Sequence, residues 1–131
     1  MHPQISAFPS KTFYGGRLDD APLIQYRTCR DWHADRRFPP FAFIDVGGTE
    51  DQPDGGTSWR NECEAETVAR VYDNLFDSFL RQQLATSVGV ISPYRAQRDE
   101  LQRQFTRRGH QNRVVINTVD VRADRSWITA I

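Results

Sequence analysis

Apolar residues along the chain fall into short continuous runs and one long stretch with helical spacing. The short runs at 41–46, 88–91 and 114–116 are rich in aromatic or β-branched residues, a pattern typical of buried strands. Between the first two runs, apolar side chains recur every three or four residues, which predicts an amphipathic helix over 62 to about 83. Its apolar face consists of Ala65, Val68, Tyr72, Leu75, Phe76, Phe79 and Leu80.

Capping residues mark where helices can begin and end. Ser58 and Asn61 are alternative caps for the long helix, because their side chains can accept hydrogen bonds from backbone N–H groups at a helix start. Pro93 stands where a second helix can open, and Gly109 stands where that helix can stop. One face of this second helix carries Gln97, Leu101 and Phe105.

The order strand, helix, strand, helix, strand predicts an α/β fold in which helices flank a parallel sheet. We divide the chain into an irregular N-terminal segment over 1–40, a βαβαβ core over 41–120 and a divergent tail over 121–131. The end of that tail is a candidate fourth strand. Because ligands of such sheets bind beyond the carboxyl ends of the strands, function is expected at the loops 92–95 and 117–120.

The N-terminal segment is interrupted repeatedly by proline and glycine. This pattern predicts only two short helical turns, at 5–8 and 12–14. The segment also carries large apolar side chains, which we expect to be packed rather than exposed: Phe8, Phe13, Tyr14 and Leu18.

The composition is that of an ordinary folded protein. A length of 131 residues with 38% hydrophobic residues suits one α/β domain. No apolar run reaches the length of a membrane span, and the first residues lack the pattern of a signal peptide. Cys29 and Cys63 form no paired motif, which favours a reduced, intracellular protein, in either the nucleus or the cytoplasm.

The net charge is zero, but the charges are unevenly distributed. Residues 45–77 contain nine acidic residues and two arginines, whereas residues 95–113 contain six arginines, one aspartate and one glutamate. A local basic edge of this kind fits contact with a nucleic-acid backbone. The same arginines can equally serve only to solvate a helix, so the charge pattern leaves both interpretations open.

The sequence lacks the residues needed to hold a nucleotide by itself. It has no Gly-x-x-x-x-Gly-Lys-Ser/Thr run to cradle a triphosphate, and its single lysine, Lys11, follows no glycine loop. Cys29 and His33 have a spacing that zinc ligands can have, and two further candidate ligands are His2 and Cys63. Structural zinc sites usually show two tight pairs, so we expect no metal site.

Tyr94 and Arg95 stand where a predicted strand gives way to a helix. An aromatic ring at such a point can stack on a base, and the backbone amides of a helix start can bind phosphate. The alternative is that Tyr94 packs against the sheet edge and Arg95 is merely solvated.

Taken in order, five segments of the chain resemble motifs of senataxin-like superfamily 1 helicases. Segment 1–18 resembles the stretch that follows Gln-Tyr-Arg in that family, and 41–47 resembles its next strand. Residues 58–65 match Ser-x-x-Asn-x-x-Glu-Ala, residues 88–97 match Ile/Val-Ser/Thr-Pro-Tyr-x-x-Gln, and residues 117–120 match the start of motif V. Each motif alone is weak, but five of them in the family's order are specific.

The resemblance implies that the chain is part of the second of two RecA-like domains, of the phosphate-loop nucleotide hydrolase type. Two such domains together hold ATP and pull on a single strand of RNA or DNA. Ser92, Pro93 and Tyr94 would then lie along the nucleic-acid track, with Arg95 next to them. Thr118 would contact the phosphate backbone.

The same resemblance implies that His2 and Pro3 are a remnant of one side of the ATP cleft. The family's Gln-Tyr-Arg would precede Met1, and its first motor domain would be the partner of this chain in a longer parent. The Phe-Gln-Gly-Arg-Glu that follows motif V in the family is replaced here by residues 121–125. Because phosphoryl transfer needs a triphosphate cradle and a metal, we expect ATP and Mg²⁺ only in the parent, and no catalytic residue in this chain.

Three functional hypotheses follow. The chain is a fragment of an ATP-dependent RNA or DNA helicase, a stand-alone non-catalytic module that binds single-stranded nucleic acid, or an inactive helicase remnant. A membrane is not among its expected partners.

Overall fold

The structure, a computed structural model, describes residues 2–79 and 88–118. It divides into two compact units, Met1–Ile44 and Asp45–Ile131. The first unit contains helix α1 (Pro3–Phe13) and helix α2 (Ile24–Thr28), followed by a 3-10 turn at Asp31–Ala34. Among the helices described, none is long and apolar enough to cross a membrane.

The sequence predicted two short helical turns within an irregular segment. The structure instead has one continuous helix of 11 residues there, α1. His2 caps its start, because its Nδ1 accepts a hydrogen bond from the Gln4 backbone N–H at 3.2 Å. Pro3 occupies the first turn, where backbone N–H groups have no helical partner in any case. Pro9 lies inside the helix and removes one backbone hydrogen bond without ending it. The prolines were therefore misleading as helix boundaries.

The burial expected in this first unit is also wrong, because its large apolar side chains are exposed: Phe8, Phe13, Tyr14 and Leu18. The buried residue of α1 is Ser6, whose hydroxyl donates to the carboxylate of Asp20 at 3.0 Å. Trp32 and Phe38 are the buried apolar side chains of the unit. A polar contact therefore anchors α1, rather than its aromatic residues.

The second unit is an α/β arrangement of helix α3 (Glu62–Ser78), strand β1 (Val88–Ser92), helix α4 (Arg95–Arg107) and strand β2 (Val114–Thr118). A short 3-10 turn at Pro53–Gly55 precedes α3. The two strands pair in parallel, with Val88 opposite Val114 and Ser92 opposite Thr118. This confirms the predicted α/β class with a parallel sheet and flanking helices.

Helix α3 begins where the sequence predicts, but it ends earlier. Ser78 is its last residue and Phe79 its C-terminal cap. The predicted continuation over 80–83 lies outside the described residues. The predicted face is confirmed where α3 is described, because Ala65, Tyr72 and Leu75 are buried.

The predicted strand over 41–46 is wrong. These residues form neither a helix nor a strand, and Phe43 is 86% exposed. A strand needs a neighbour that takes up its backbone N–H and C=O groups, and no strand in the described parts of the chain runs beside 41–46. Aromatic and β-branched residues supply a preference for extended structure but not the partner. The candidate fourth strand and the tail from 121 onward lie outside the described residues.

The core of the second unit lies around α4, which packs against α3 and against both strands. Phe105 of α4 is completely buried, and its ring meets the ring of Tyr72 edge-on at 5.3 Å between centroids. The other buried apolar residues of this unit are Ala65, Ala69, Leu75, Val88, Val90, Leu101 and Val114. The predicted face of α4 is confirmed, and this packing fixes the position of the sheet edge.

Gly109 ends α4, as predicted, in a Schellman motif. The N–H groups of His110 and Gly109 donate to the carbonyls of Phe105 and Thr106 at 2.9 and 3.0 Å, and Gly109 has a φ of +74°. Replacing Gly109 with alanine is expected to lower the free energy of unfolding by about 1 kcal/mol, because a Cβ is disfavoured in the left-handed conformation. Urea denaturation followed by circular dichroism measures this loss.

Gly47 provides the matched control for that prediction. Its φ is not left-handed, and a Cβ added there meets nothing within 4 Å. Gly47→Ala is therefore expected to leave the stability nearly unchanged. Equal losses from the two substitutions would contradict the role assigned to the end of α4.

Candidate nucleic-acid interface

The carboxyl ends of β1 and β2 bring together residues from both loops that the sequence singled out. Ser92 and Thr118 are paired directly across the two strands. Ser92 is buried, and its hydroxyl accepts a hydrogen bond from the Tyr94 backbone N–H at 3.2 Å, whereas Thr118 is partly exposed. Two residues with side-chain hydroxyl groups are thus paired at the edge of the sheet where ligands of parallel sheets usually bind.

Tyr94 links this sheet edge to α4. It is the N-terminal cap residue of the helix, its side chain makes no capping hydrogen bond, and it is 48% exposed. Pro93 therefore precedes the cap, and the helix begins two residues later, at Arg95. Arg95 is exposed and has no carboxylate partner among the described residues. The ring of Tyr94 and the guanidinium of Arg95 are both open to a ligand.

The side chain of Tyr94 makes no capping hydrogen bond, and a residue of the loop before α3 makes one in its place. The Ala96 backbone N–H donates to the Ser58 hydroxyl at 3.0 Å, so Ser58 caps α4 from a position 38 residues away. Asn61 caps α3, because its side-chain oxygen accepts from the Glu64 N–H at 3.1 Å. The two alternative caps predicted for α3 therefore serve different helices.

Gln97 joins the starts of the two helices more firmly. Its Oε1 accepts from the Asn61 backbone N–H at 2.7 Å, and its Nε2 donates to the Asn61 carbonyl at 3.1 Å. Both residues are buried. We call Ser58, Asn61 and Gln97 the helix-start clamp. Two of the motif segments, 58–65 and 88–97, therefore touch each other through this clamp.

Sequence reasoning did not find the helix-start clamp. Its bonds join residues 36 to 38 positions apart, and no periodic pattern reports such contacts. One signal was available, since Gln97 lies on the face of α4 that also carries Leu101 and Phe105. A polar side chain in a buried position needs hydrogen-bond partners, which points to a specific polar contact.

The basic edge over 95–113 is largely compensated in the structure. Arg98 pairs with Asp99 and Arg103 with Glu100, while Arg108 contacts Asp73. The guanidinium of Arg113 lies 4.8 Å above the ring of Phe76. Of the six arginines of this edge, Arg95 and Arg107 lack such a contact with any described residue. Positive charge open to a ligand is therefore concentrated at the two ends of α4, and one of these ends adjoins the sheet edge.

The remaining predicted site residues, His2 and Pro3, belong to the first unit, at the start of α1. The ring of His2 lies edge-on to that of His33, with 6.1 Å between centroids. Burial lowers the pKa of His33, and the nearby His2 and Arg30 lower it further. Within residues 2–79 and 88–118, no three His, Cys, Asp or Glu side chains are grouped to hold a metal, and both Cys29 and Cys63 are free thiols.

Comparison with known proteins establishes the class to which this fold and site belong. Residues 1–123 match the AAA domain family, so the chain belongs to that family.

Within that class, the chain is similar to named helicases. It is 40% identical to the probable helicase MAGATAMA 3 of Arabidopsis thaliana over 126 residues, which are 92% of this chain and 15% of the relative. It is 37% identical to the helicase sen1 of Schizosaccharomyces pombe over 105 residues, 80% of this chain and 6% of the relative. It is 32% identical to the ATP-dependent helicase upf1 of the same yeast over 128 residues, 92% of this chain and 13% of the relative.

These matches confirm the resemblance to senataxin-like superfamily 1 helicases. The parallel strands and flanking helices agree with part of a RecA-like domain. The chain spans only 6 to 15% of the length of these three relatives, and so corresponds to a small part of such proteins.

Proposed function

We propose that the chain is part of an ATP-dependent helicase, in which it supplies contacts to a single strand of RNA or DNA and one side of the ATP cleft. The observation that carries the proposal is the pairing of Ser92 with Thr118 at the carboxyl edge of the sheet, next to the exposed Tyr94. Membership of the family and similarity to proteins named helicases support it.

Each residue of this edge has a chemical role in the proposal. The ring of Tyr94 stacks on a base, a contact that tolerates any base because every base has a π face. Arg95 pairs with a phosphate, and the Thr118 hydroxyl donates to the phosphate backbone. The Ser92 hydroxyl holds the Tyr94 backbone, and Pro93 restricts the turn between them.

ATP and Mg²⁺ enter this proposal only through the rest of the helicase. Hydrolysis needs a phosphate cradle and a metal, and the sequence contains no Gly-x-x-x-x-Gly-Lys-Ser/Thr run. We therefore assign no catalytic residue here. His2 and Pro3 would line one side of the cleft, opposite the first motor domain.

Replacing Tyr94 with alanine tests the stacking contact. Fluorescence anisotropy with a labelled single-stranded oligonucleotide is expected to show affinity about 10-fold weaker, because alanine substitution removes one base–aromatic stack. Binding of the unchanged protein is expected to weaken steeply with salt, since phosphate contacts release counterions.

Tyr26 is the matched control, because it is 77% exposed and lies in the first unit. Tyr26→Ala is expected to leave affinity unchanged. If Tyr94→Ala also leaves affinity unchanged, Tyr94 does not stack on the strand and the proposed interface is wrong.

A second measurement separates a helicase part from a simple binding module. In a longer protein that carries both motor domains, binding of the single strand that does not respond to ATP would favour the binding module.

A further inference from the structure

Two histidines of the first unit, His2 and His33, lie side by side, each at a helical segment. Their rings meet edge-on with 6.1 Å between centroids. His2 caps the start of α1, and His33 belongs to the 3-10 turn Asp31–Ala34. Both side chains are partly exposed, so water reaches each ring. We call these two residues the histidine pair.

Each ring of the histidine pair accepts a hydrogen bond from a backbone N–H through its Nδ1 atom. In His2 the donor is Gln4, at 3.2 Å, and in His33 the donor is Arg30, at 3.1 Å. A neutral imidazole that accepts through Nδ1 carries its proton on Nε2. The two hydrogen bonds therefore require both rings to be neutral and in the same tautomer.

Protonation would turn both acceptors into donors. An imidazolium has an N–H group at each ring nitrogen, so its Nδ1–H would point at the backbone N–H of Gln4 or Arg30. The backbone amides at a helix start also carry partial positive charge, which makes a cation at the cap of α1 unfavourable. Acid would therefore remove the cap of α1 and the bond that ties His33 to the start of its turn.

The groups around the histidine pair supply no counter-charge for an imidazolium. Among the described residues, no carboxylate lies within 4 Å of a ring nitrogen of either histidine. Asp35, close by in the chain, is already paired with Arg37 at 2.7 Å. Trp32 is the further ring contact of His33, edge-on at 5.9 Å between centroids, and it is uncharged.

The electrostatics of His33 point in the same direction. Burial lowers its pKa, and the nearby His2 and Arg30 lower it further. Because the pKa is lower in the folded chain than in the unfolded chain, the unfolded chain takes up the proton first as the pH falls. The stabilisation from neutral His33 is therefore complete above its ordinary pKa of about 6.5 and is lost as the pH falls through the lowered value.

We propose that the histidine pair is a pH-sensitive switch in the first unit, which holds the start of α1 and the 3-10 turn when both rings are neutral and releases both in mild acid. The two sites respond together because a charge on one ring acts on the other across 6.1 Å. This inference goes beyond the proposed function and does not depend on it.

The experiment follows the full chain by nuclear magnetic resonance from about pH 8 to about pH 5, the range in which histidine titrates. The backbone amide signals of Gln4 and Arg30 are expected to move in step with the ring signals of His2 and His33. Their protection from hydrogen exchange, corrected for the intrinsic rate at each pH, is expected to fall about 10-fold, because each loses its hydrogen-bond acceptor. Amides that stay equally protected across this range would overturn the proposal.

Asparagine is the test substitution, because its side-chain oxygen accepts the same kind of bond but does not titrate. His2→Asn is expected to raise the pKa of His33 only part of the way to its ordinary value, since burial, the larger cause of the lowering, remains. An unchanged pKa would mean that the rings do not act as a pair. The double variant His2→Asn/His33→Asn is expected to lose the pH response of the Gln4 and Arg30 amides, and a response that persists would place its origin elsewhere.

His110→Asn is the matched control. His110 is the third histidine of the chain and lies in the second unit, where its Nε2 is 3.0 Å from the carboxylate of Asp73. The variant is expected to leave the pH response of the Gln4 and Arg30 amides unchanged, and loss of that response would contradict a switch built from the histidine pair. The titration of the unchanged chain decides the proposal even where a variant does not fold.

Discussion

Replacing Phe105 with alanine is expected to lower the free energy of unfolding by about 3 to 5 kcal/mol, the usual cost of removing a fully buried phenyl ring. Phe105 is 0% exposed and its ring contacts that of Tyr72 between α3 and α4. The substitution removes apolar contacts and leaves a cavity between two helices. Urea denaturation, monitored by circular dichroism and by tyrosine and tryptophan fluorescence, measures the loss.

Phe43 is the control for this prediction, because it is also a phenylalanine but is 86% exposed. Phe43→Ala is expected to change stability by less than about 0.5 kcal/mol, as exposed substitutions usually do. Similar losses from Phe105→Ala and Phe43→Ala would mean that α4 does not pack against α3 as described.

The elements of the second unit could be predicted because their patterns are local. Helical spacing of apolar residues identified α3 and α4, and short β-branched runs identified β1 and β2. In a parallel arrangement the carboxyl ends of both strands lie at one edge of the sheet. The pairing of Ser92 with Thr118 could therefore be predicted in outline.

The failures of prediction share a physical cause, which is dependence on something outside the segment. Residues 41–46 have strand-forming side chains but no described neighbour to complete a sheet. Phe8 and Phe13 are apolar, yet exposed, because burial depends on what lies against a residue and not on its own character. Pro9 would break a helix by local rules, but it sits within a capped helix that continues around it.

The candidate site depends on the helix-start clamp as much as on its own residues. Tyr94 has no side-chain cap of its own, and Ser58 supplies one across the fold. Gln97 lies one turn beyond Tyr94 and fixes the start of α4 against Asn61. Tyr94, at the start of α4, is therefore held in place by polar contacts from the loop before α3.

Replacing Gln97 with alanine is the second large effect expected. The substitution removes both hydrogen bonds to the Asn61 backbone, together with a longer one to Glu64 at 3.4 Å, and leaves the buried N–H of Asn61 without a partner. An unsatisfied buried donor costs about 1 to 3 kcal/mol beyond the lost bonds, so the free energy of unfolding should fall by roughly 2 to 4 kcal/mol. Chemical denaturation of the variant and of the unchanged chain measures the difference.

Two comparisons separate the clamp from a general effect on α4. Gln102 is exposed on the same helix, so Gln102→Ala is expected to change stability by less than about 0.5 kcal/mol. Gln97→Glu keeps an acceptor for the Asn61 N–H, but it loses the donor to the Asn61 carbonyl and places a buried carboxylate beside that of Glu64, so it should restore little of the stability that Gln97→Ala loses. If Gln97→Ala is no worse than Gln102→Ala, the bonds to Asn61 contribute nothing to the fold. The start of α4, with Tyr94, would then have to be positioned by the Ser58 cap and by apolar packing alone.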